Sequence, residues 1–173
     1  MNNMNKTKVI QSVTLGALYS IISTIFQTAP VYMPVVGLLF SPLSTLPVII
    51  SGLYSFTLAL FVYLCSSFLI LLVSLEEALF FIFSTGLIGL GISIFIKKNK
   101  PITTNITSTI FLTFGILMLT YIFQITSFIE FARKTNFLAL LIIAVIFSSF
   151  YSFLLQITFK KIKKYLHNIN KTP

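Results

Sequence analysis

Charged residues are scarce in this chain, and what it lacks excludes several classes of chemistry. Only 9% of its 173 residues are charged, and only three of those are acidic. One histidine and one cysteine, Cys65, leave no side chains for a Cys/His metal site or an internal disulfide. We therefore expect no metal, no cofactor and no disulfide framework.

The same scarcity argues against an enzyme. The pair Glu76-Glu77 begins the sequence E-E-A-L-F-F, which partly matches the E-E-x-x-x-R motif of membrane proteases of the prenyl-endopeptidase type. Phe81 stands where that motif has arginine, and the only histidine, His167, lies near the C-terminus. A hydrolase of this type, or one with a Ser-His-Asp arrangement, would lack its general base. We predict that the chain is not an enzyme.

Apolar residues take the place of the missing charges. They make up 57% of the sequence, which includes 19 phenylalanines and no tryptophan. Soluble domains carry about 25% charged residues, so this composition indicates a membrane protein. At about 20 residues for each crossing, 173 residues allow five to seven spans and little else. The predicted fold is an all-α, polytopic membrane protein that forms a single integral membrane domain over residues 1–173.

Uncharged runs predict six transmembrane helices. An α-helix rises about 1.5 Å per residue and needs about 20 residues to cross the hydrocarbon core. The fifth run is longer than that and should tilt or protrude. A basic tail over residues 160–173 follows the last run. The predicted spans are residues 9–29, 31–50, 53–74, 78–96, 103–129 and 136–159.

The second span is unusual because four of the chain's six prolines lie between Pro30 and Pro47. Proline removes a backbone donor and clashes with the preceding turn of a helix. In hydrocarbon a broken span is tolerated only where it is packed against protein or borders a cavity. We therefore predict a proline-broken second span that is not one straight helix and that partly borders a pocket.

Basic residues predict the orientation. Six spans place both termini on one side, together with the loop at Lys97–Lys100, and this side collects ten of the twelve basic residues. The other side holds Arg133, Lys134 and all three acids. The positive-inside rule therefore predicts cytoplasmic N- and C-termini in a cell membrane. These charges lie at span ends and form no stripe, so we expect membrane lipid, and no nucleic acid, as a partner.

Six polar residues are predicted to lie at one depth, near the outer ends of the spans. Taken singly, the glutamines and tyrosines have a structural interpretation as helix contacts and interface anchors. The two glutamates also suit the start of span four, because negative charge stabilises a helix N-terminus. Their shared depth beside the broken span predicts an outward-facing pocket in which a glutamate meets a cationic or amine-bearing ligand. The predicted ligand-binding residues are Gln27, Tyr32, Glu76, Glu77, Tyr121 and Gln124.

Small residues form two faces on which helices can approach closely. The face on span four, with Gly86, Gly89 and Gly91, is predicted to be internal. The face on span one has two interpretations, packing inside this protein or contact with a separate membrane subunit. Its members are Ser12, Gly16, Ala17 and Ser20.

Six spans in 173 residues, cytoplasmic termini, a small-residue face on span one and a proline-rich connection into span two form a recognisable layout. It resembles the substrate-binding S components of energy-coupling factor transporters. The resemblance covers the whole chain in layout. In motif, Gly16-x-x-x-Ser20 is the nearest match to the family's A-x-x-x-A sequence.

The resemblance implies a binding subunit for uptake of a vitamin-like or amine-bearing micronutrient. A transmembrane coupling subunit would meet the face on span one, and separate ATPases would supply the energy. The chain itself has no G-x-x-x-x-G-K-[ST] nucleotide-binding sequence. The alternative is a non-transport membrane protein with an assembly, interaction or immunity role, which needs no polar cavity.

Cysteine labelling tests the orientation. In a variant without Cys65, the substitution Lys134→Cys is expected to react with a membrane-impermeant maleimide in intact cells. Lys98→Cys is expected to react only after permeabilisation, because positive-inside placement puts that loop in the cytoplasm. Labelling of position 98 but not 134 in intact cells would contradict the predicted orientation.

Overall fold

Prolines, glycines and capping serines divide the apolar sequence into eight α-helices within the residues that the computed structural model describes. These residues are 2–95, 100–124, 133 and 135–169, and they contain no β-strand. A 3-10 turn, Ser41–Ser44, joins α2 to α3, and a π-helical turn, Phe81–Thr85, joins α5 to α6. The helices are α1 Asn2–Tyr32, α2 Pro34–Phe40, α3 Thr45–Tyr54, α4 Phe56–Leu71, α5 Leu75–Phe80, α6 Gly86–Phe95, α7 Pro101–Tyr121 and α8 Phe137–Ile169.

Five helical segments are long and apolar enough to cross a membrane, which confirms an all-α polytopic architecture. α4, with 16 residues, is a shorter apolar helix where the sequence predicted the span 53–74. It begins after Ser55, whose Oγ accepts a hydrogen bond from Leu58 N at 3.0 Å. The five long segments are Val9–Tyr32, Pro34–Tyr54, Leu75–Phe95, Pro101–Tyr121 and Phe137–Lys160.

α7 ends at Tyr121, so the prediction of an over-long fifth helix reaching residue 129 is wrong. The N–H groups of Ile122 and Phe123 both donate to Met118 O, at 3.0 and 3.1 Å. Gln124 then has a φ of 48°, a left-handed conformation that stops a helix. At 21 residues, α7 has the length of one membrane crossing. Residues 125–129 lie outside the described part of the chain, as do Glu130 and Lys134.

The proline-rich segment is broken in two places, which confirms that it is not one straight helix. α1 continues through Pro30 to Tyr32, and Met33 separates it from α2. Pro34 and Pro42 each lie at the beginning of a helical piece, where a missing N–H costs no hydrogen bond. The second span therefore begins at Pro34, and Tyr32 belongs to α1.

α2 folds back onto α1 at close range. Gly37 lies against the Ala29–Pro30 peptide, where a Cβ would overlap backbone atoms. The rings of Phe26 and Phe40 stack with their centroids 6.3 Å apart. A side chain at position 37 would therefore separate the two helices.

α6 lies at the centre of the bundle, in contact with α3, α4 and α7. Gly89 meets the side chain of Val48 on α3, and Gly91 meets Ser108 on α7. Both glycines and Gly86 are buried, so the predicted small-residue face of span four is internal. α8 packs chiefly on α7, on the outside of this core.

Side chains from other helices bond the carbonyls of the 3-10 turn. Hydrogen bonds in such a turn have poorer geometry than those of an α-helix. Ser23 Oγ on α1 donates to Ser44 O at 2.8 Å, and the Tyr151 hydroxyl on α8 donates to Pro42 O at 3.3 Å. The broken second span is thus held from both sides by donors that replace water.

Ser23→Ala is expected to destabilise the protein, because it removes the donor from a buried carbonyl. The expected loss of unfolding free energy is about 1–2 kcal/mol. That would lower the thermal midpoint in detergent by about 2–4 °C for each kcal/mol. The control is Ser67→Ala, whose hydroxyl bonds only Tyr63 O within its own helix. Equal midpoints for the two variants would contradict the role given to Ser23.

Candidate functional site

A buried glutamine joins four separate elements of the fold. Gln27 on α1 is 1% exposed. Its Nε2 donates to Glu77 Oε2 on α5 at 2.8 Å. Its Oε1 accepts from Ser44 Oγ of the 3-10 turn and from Thr85 Oγ1 of the π-helical turn, both at 2.8 Å. We call Gln27, Ser44, Glu77 and Thr85 the Gln27 cluster.

The start of α5 places Glu77 in this cluster. Ser74 caps the helix, and its Oγ accepts from Glu77 N at 3.3 Å. Glu76 and Glu77 form the acidic first turn, where the helix dipole favours negative charge. Glu76 is exposed, whereas Glu77 is half-buried and faces Gln27. The helix-start interpretation therefore describes both residues, and Glu77 also belongs to the polar cluster.

The π-helical turn places Thr85. Turns of this type widen a helix by one residue and are frequent at functional sites. Tyr63 on α4 donates its hydroxyl to Ile82 O at 3.1 Å, and Gly115 on α7 lies directly against the Phe83 carbonyl. The turn is therefore held by two neighbouring helices while Thr85 points to Gln27.

The two irregular turns contact each other, and their hydroxyls share one acceptor. Ser44 comes from the broken second span and Thr85 from the widened fourth span, and both donate to Gln27 Oε1. Irregular backbone at membrane depth is found where it is buried in protein or lines a cavity, and transporter sites are typically built at such breaks. The convergence of two breaks on one amide marks this position as the candidate site.

Glu77 is the charged member of the site. Within the described part of the chain its carboxylate has one hydrogen-bonding partner, Gln27, and forms no ion pair. Oε1 has no hydrogen-bonding partner among the described residues. A half-buried carboxylate in a membrane protein is costly unless a cation or a proton accompanies it. The arrangement suits a ligand that carries an ammonium group.

An apolar cavity of about 340 Å³ lies beside the cluster, between the α5–π segment, α7 and α8. Its polar groups are two hydroxyls. Thr120 Oγ1 donates to Ile116 O at 2.7 Å, whereas Ser84 has no hydrogen-bonding partner among the described residues. The proline-rich segment contributes no residue to this cavity. Its lining is Phe80, Ser84, Ile116, Thr120, Leu140, Ile143, Ala144 and Phe147.

The cavity and the Gln27 cluster share one stretch of chain. Phe80 follows Glu77 by three residues, and Ser84 precedes Thr85. The eleven-residue stretch that forms α5 and the π-helical turn therefore carries both the carboxylate and part of the cavity wall. A ligand with a polar end and an apolar body matches this pairing.

Of the six predicted ligand-binding residues, the structure joins Gln27 and Glu77. Tyr32 is 73% exposed at the end of α1, and Glu76 is exposed beside Glu77. Tyr121 packs against Phe137 with ring centroids 6.0 Å apart. Gln124 is exposed at the end of α7, next to Phe123, whose ring lies 5.0 Å from that of Phe83 in the π-helical turn. These four residues form no hydrogen bond to the Gln27 cluster in the described structure.

Sequence reasoning missed Ser44, Thr85 and Ser84. A signal existed for Ser44, because it lies between Pro42 and Pro47, where hydroxyl side chains commonly bond a broken backbone. The two other residues had none, because a π-helical turn leaves no mark in an apolar sequence. Ser and Thr are also too common in membrane helices to indicate a site by themselves.

The small-residue face of span one divides between two environments. Gly16 lies against Phe61 and Leu58 on α4, and Ser66 on α4 donates to Ser20 O at 3.3 Å. Gly16 and Ser20 therefore pack inside the protein. Ser12, one turn before Gly16, and Ala17 are exposed.

A double-mutant cycle tests the central hydrogen bond. Gln27→Leu and Glu77→Leu should be coupled by about 0.5–3 kcal/mol in the free energy of unfolding, because the two side chains are in direct contact. Gln27→Leu and Glu76→Leu form the matched control pair and should be additive, since Glu76 is exposed. Additivity in the Gln27–Glu77 pair, measured by unfolding in detergent, would show that the bond is not formed.

Comparison with known proteins gives no match. No family model matches the chain, and neither a curated protein nor a solved structure matches it. What the site binds is therefore inferred from its own groups, which are one carboxylate, one amide and several hydroxyls beside an apolar cavity.

Proposed function

We propose that this chain is a membrane-embedded binding subunit for the uptake of a small, amine-bearing micronutrient. The observation that carries the proposal is the convergence of the broken second span and the widened fourth span on Gln27, which also bonds the carboxylate of Glu77. Discontinuous helices and a half-buried charge are the elements from which membrane transporters build their substrate sites.

The ligand binds with its ammonium group at Glu77 Oε1 and its apolar part toward the cavity. Gln27 holds the other carboxylate oxygen and so fixes the orientation of the acceptor. The cavity, at about 340 Å³, falls in the size range of small-molecule sites, about 300–1,000 Å³. Ser84 offers a hydroxyl to a second polar group of the ligand. A vitamin-like molecule with an amine and one apolar ring or chain has these features.

The site opens to the outside of the cell if both termini are cytoplasmic, as the basic residues predict. α1 then begins inside and ends outside at Tyr32, and Glu77 at the start of α5 lies at the same outer level. The chain has no nucleotide-binding motif. Separate ATPases, acting through a transmembrane coupling subunit, supply the energy for release of the ligand into the cytoplasm.

The alternative function is a non-transport one, as an assembly, interaction or immunity protein. One observation favours it: the hydrogen bonds of Gln27 in the structure are all made within the protein, which is also what a purely structural cluster requires. In that case Glu77 stabilises the helix start and binds no ligand. The two functions differ in whether Glu77 determines affinity for a small molecule.

A ligand screen with the purified protein in lipid nanodiscs tests the proposal. Amine-containing vitamins and their uncharged analogues are compared by their effect on the thermal midpoint. Among the amines tested, at least one is expected to stabilise the protein, because binding to the folded state alone raises the midpoint. Glu77→Gln is expected to weaken its binding by about ten- to a hundredfold, the equivalent of losing one charged hydrogen bond.

The matched control is Glu76→Gln, which removes the same charge from the neighbouring exposed residue and should leave affinity unchanged. The midpoint of each variant without ligand verifies that it is folded. Affinity that is equal in the wild type and in both variants would reduce Glu77 to a helix-start residue, and the non-transport function would then be favoured.

A further inference from the structure

A second groove, of about 400 Å³, lies at the other end of the α7–α8 pair. It runs between the first turns of α7 and the turns of α8 that precede Lys160. Its walls are apolar and its rim carries a cation. The apolar wall residues are Pro101, Ile102, Ile106, Phe153 and Ile157, and the cation is Lys160.

The walls of this groove face away from the protein core. Ile102 is 75% exposed, and Phe153 is 56% exposed. Both lie inside segments that can cross a membrane, Pro101–Tyr121 and Phe137–Lys160. The exposed apolar surface is therefore turned toward the hydrocarbon of the bilayer. The groove follows α7 for about 8 Å from its first residue, the rise of five residues of helix.

Two amides form the polar part of the groove. Asn105 Nδ2 donates to Ser149 Oγ at 3.1 Å, and Gln156 Nε2 donates to Asn105 Oδ1 at 3.4 Å and to Ser152 Oγ at 3.3 Å. The two bonds made by Asn105 join α7 to α8 behind the groove. Gln156 Oε1 accepts no hydrogen bond from the described residues.

The charge at this end of the groove has one sign. Lys160 lies on the rim and is exposed, and Lys100, also exposed, immediately precedes Pro101. All three acids of the sequence are elsewhere, at Glu76, Glu77 and Glu130. The lysines therefore have no carboxylate of this chain nearby in sequence, and an anion that pairs with them would come from a partner.

We propose that the groove binds one phospholipid with an anionic headgroup. Its phosphate lies at Lys160 and Lys100, where a span meets the membrane surface, and the upper part of an acyl chain lies along Ile102, Ile106 and Phe153. Anionic lipids attract basic residues at this level of the membrane. The apolar wall below Lys160 also contacts the acyl chain of the lipid. Attraction between basic residues and the membrane surface alone would give no such contact. A second copy of this protein fits the groove less well. If two copies met through this face, the lysines of one copy would repel those of the other.

Native mass spectrometry of delipidated protein measures the binding. The probes are dioleoyl-phosphatidylglycerol and dioleoyl-phosphatidylcholine, which have the same chains and differ in charge. The wild type is expected to bind the first lipid more tightly. Lys160→Gln should reduce this preference about fivefold, the effect of one lysine near an anionic surface. Arg133→Gln, a change of equal charge located before α8 begins, is the control and should leave the preference unchanged.

A groove-filling variant separates a groove-bound lipid from general attraction. Ile106→Trp keeps every charge and occupies the chain-binding space, so it should weaken phosphatidylglycerol binding as well. Ile157→Trp from α8 serves the same purpose if the first variant has a lowered thermal midpoint. Equal losses for Lys160→Gln and Arg133→Gln, or undiminished binding when the groove is filled in a folded variant, would overturn the proposal.

Discussion

The requirement that each backbone carbonyl in hydrocarbon keeps a hydrogen-bond donor governs this structure. The prolines of the second span prevent a continuous ladder, and the 3-10 turn Ser41–Ser44 is the result. Ser23 and Tyr151 bring hydroxyls from α1 and α8 to the carbonyls of this turn. The positions of those two helices are therefore linked to the break. In the fourth span the π-helical turn has a similar arrangement, with Tyr63 bonded to Ile82 O. Some of the polar side chains inside this bundle therefore serve the irregular turns, whereas others, such as Ser108 and Thr120, bond carbonyls of their own helix.

This requirement explains why one amide, that of Gln27, bonds side chains from three other elements of the fold. An amide has two donors and one oxygen that accepts twice, so Gln27 can bond a carboxylate and two hydroxyls at once. No other uncharged side chain of similar length offers that combination. Among the described residues, Gln27 fixes one oxygen of Glu77, and the other oxygen has no partner. A rigid acceptor loses little entropy when a donor binds to it, which is the advantage of preorganised sites. Structural and binding roles are therefore compatible in this cluster.

The sequence predicted the order of the apolar helical segments and only part of the site. The last predicted span, 136–159, lies within one residue of Phe137–Lys160, because runs without charge are set directly by bilayer thickness. The predicted fifth span was too long, because an apolar run does not reveal the positive φ of Gln124.

Gln27 and Glu77 were predicted as site residues because long polar side chains are conspicuous in an apolar sequence. Ser44 and Thr85 were not predicted as site residues. The direction in which their side chains point depends on how each irregular turn rotates the helix that follows it. Tyr32 and Tyr121 were assigned to the site only because of their predicted depth in the membrane, and the structure shows both exposed.

The second span, although absent from the cavity lining, is connected to the cavity through α8. Phe147 lines the cavity, and its ring stacks on Tyr151 with centroids 6.1 Å apart. Tyr151 in turn bonds Pro42 O and lies 3.4 Å from Thr45 Oγ1 at the break. Interhelical hydrogen bonds in membranes contribute about 0.6 kcal/mol on average. A bond of this strength, such as the one from Tyr151 to Pro42 O, breaks and re-forms thermally. α8 otherwise packs chiefly on α7. A displacement of the break therefore reaches the cavity wall through Tyr151, and it also reaches α6, because Val48 and the Thr45 carbonyl lie against Gly89.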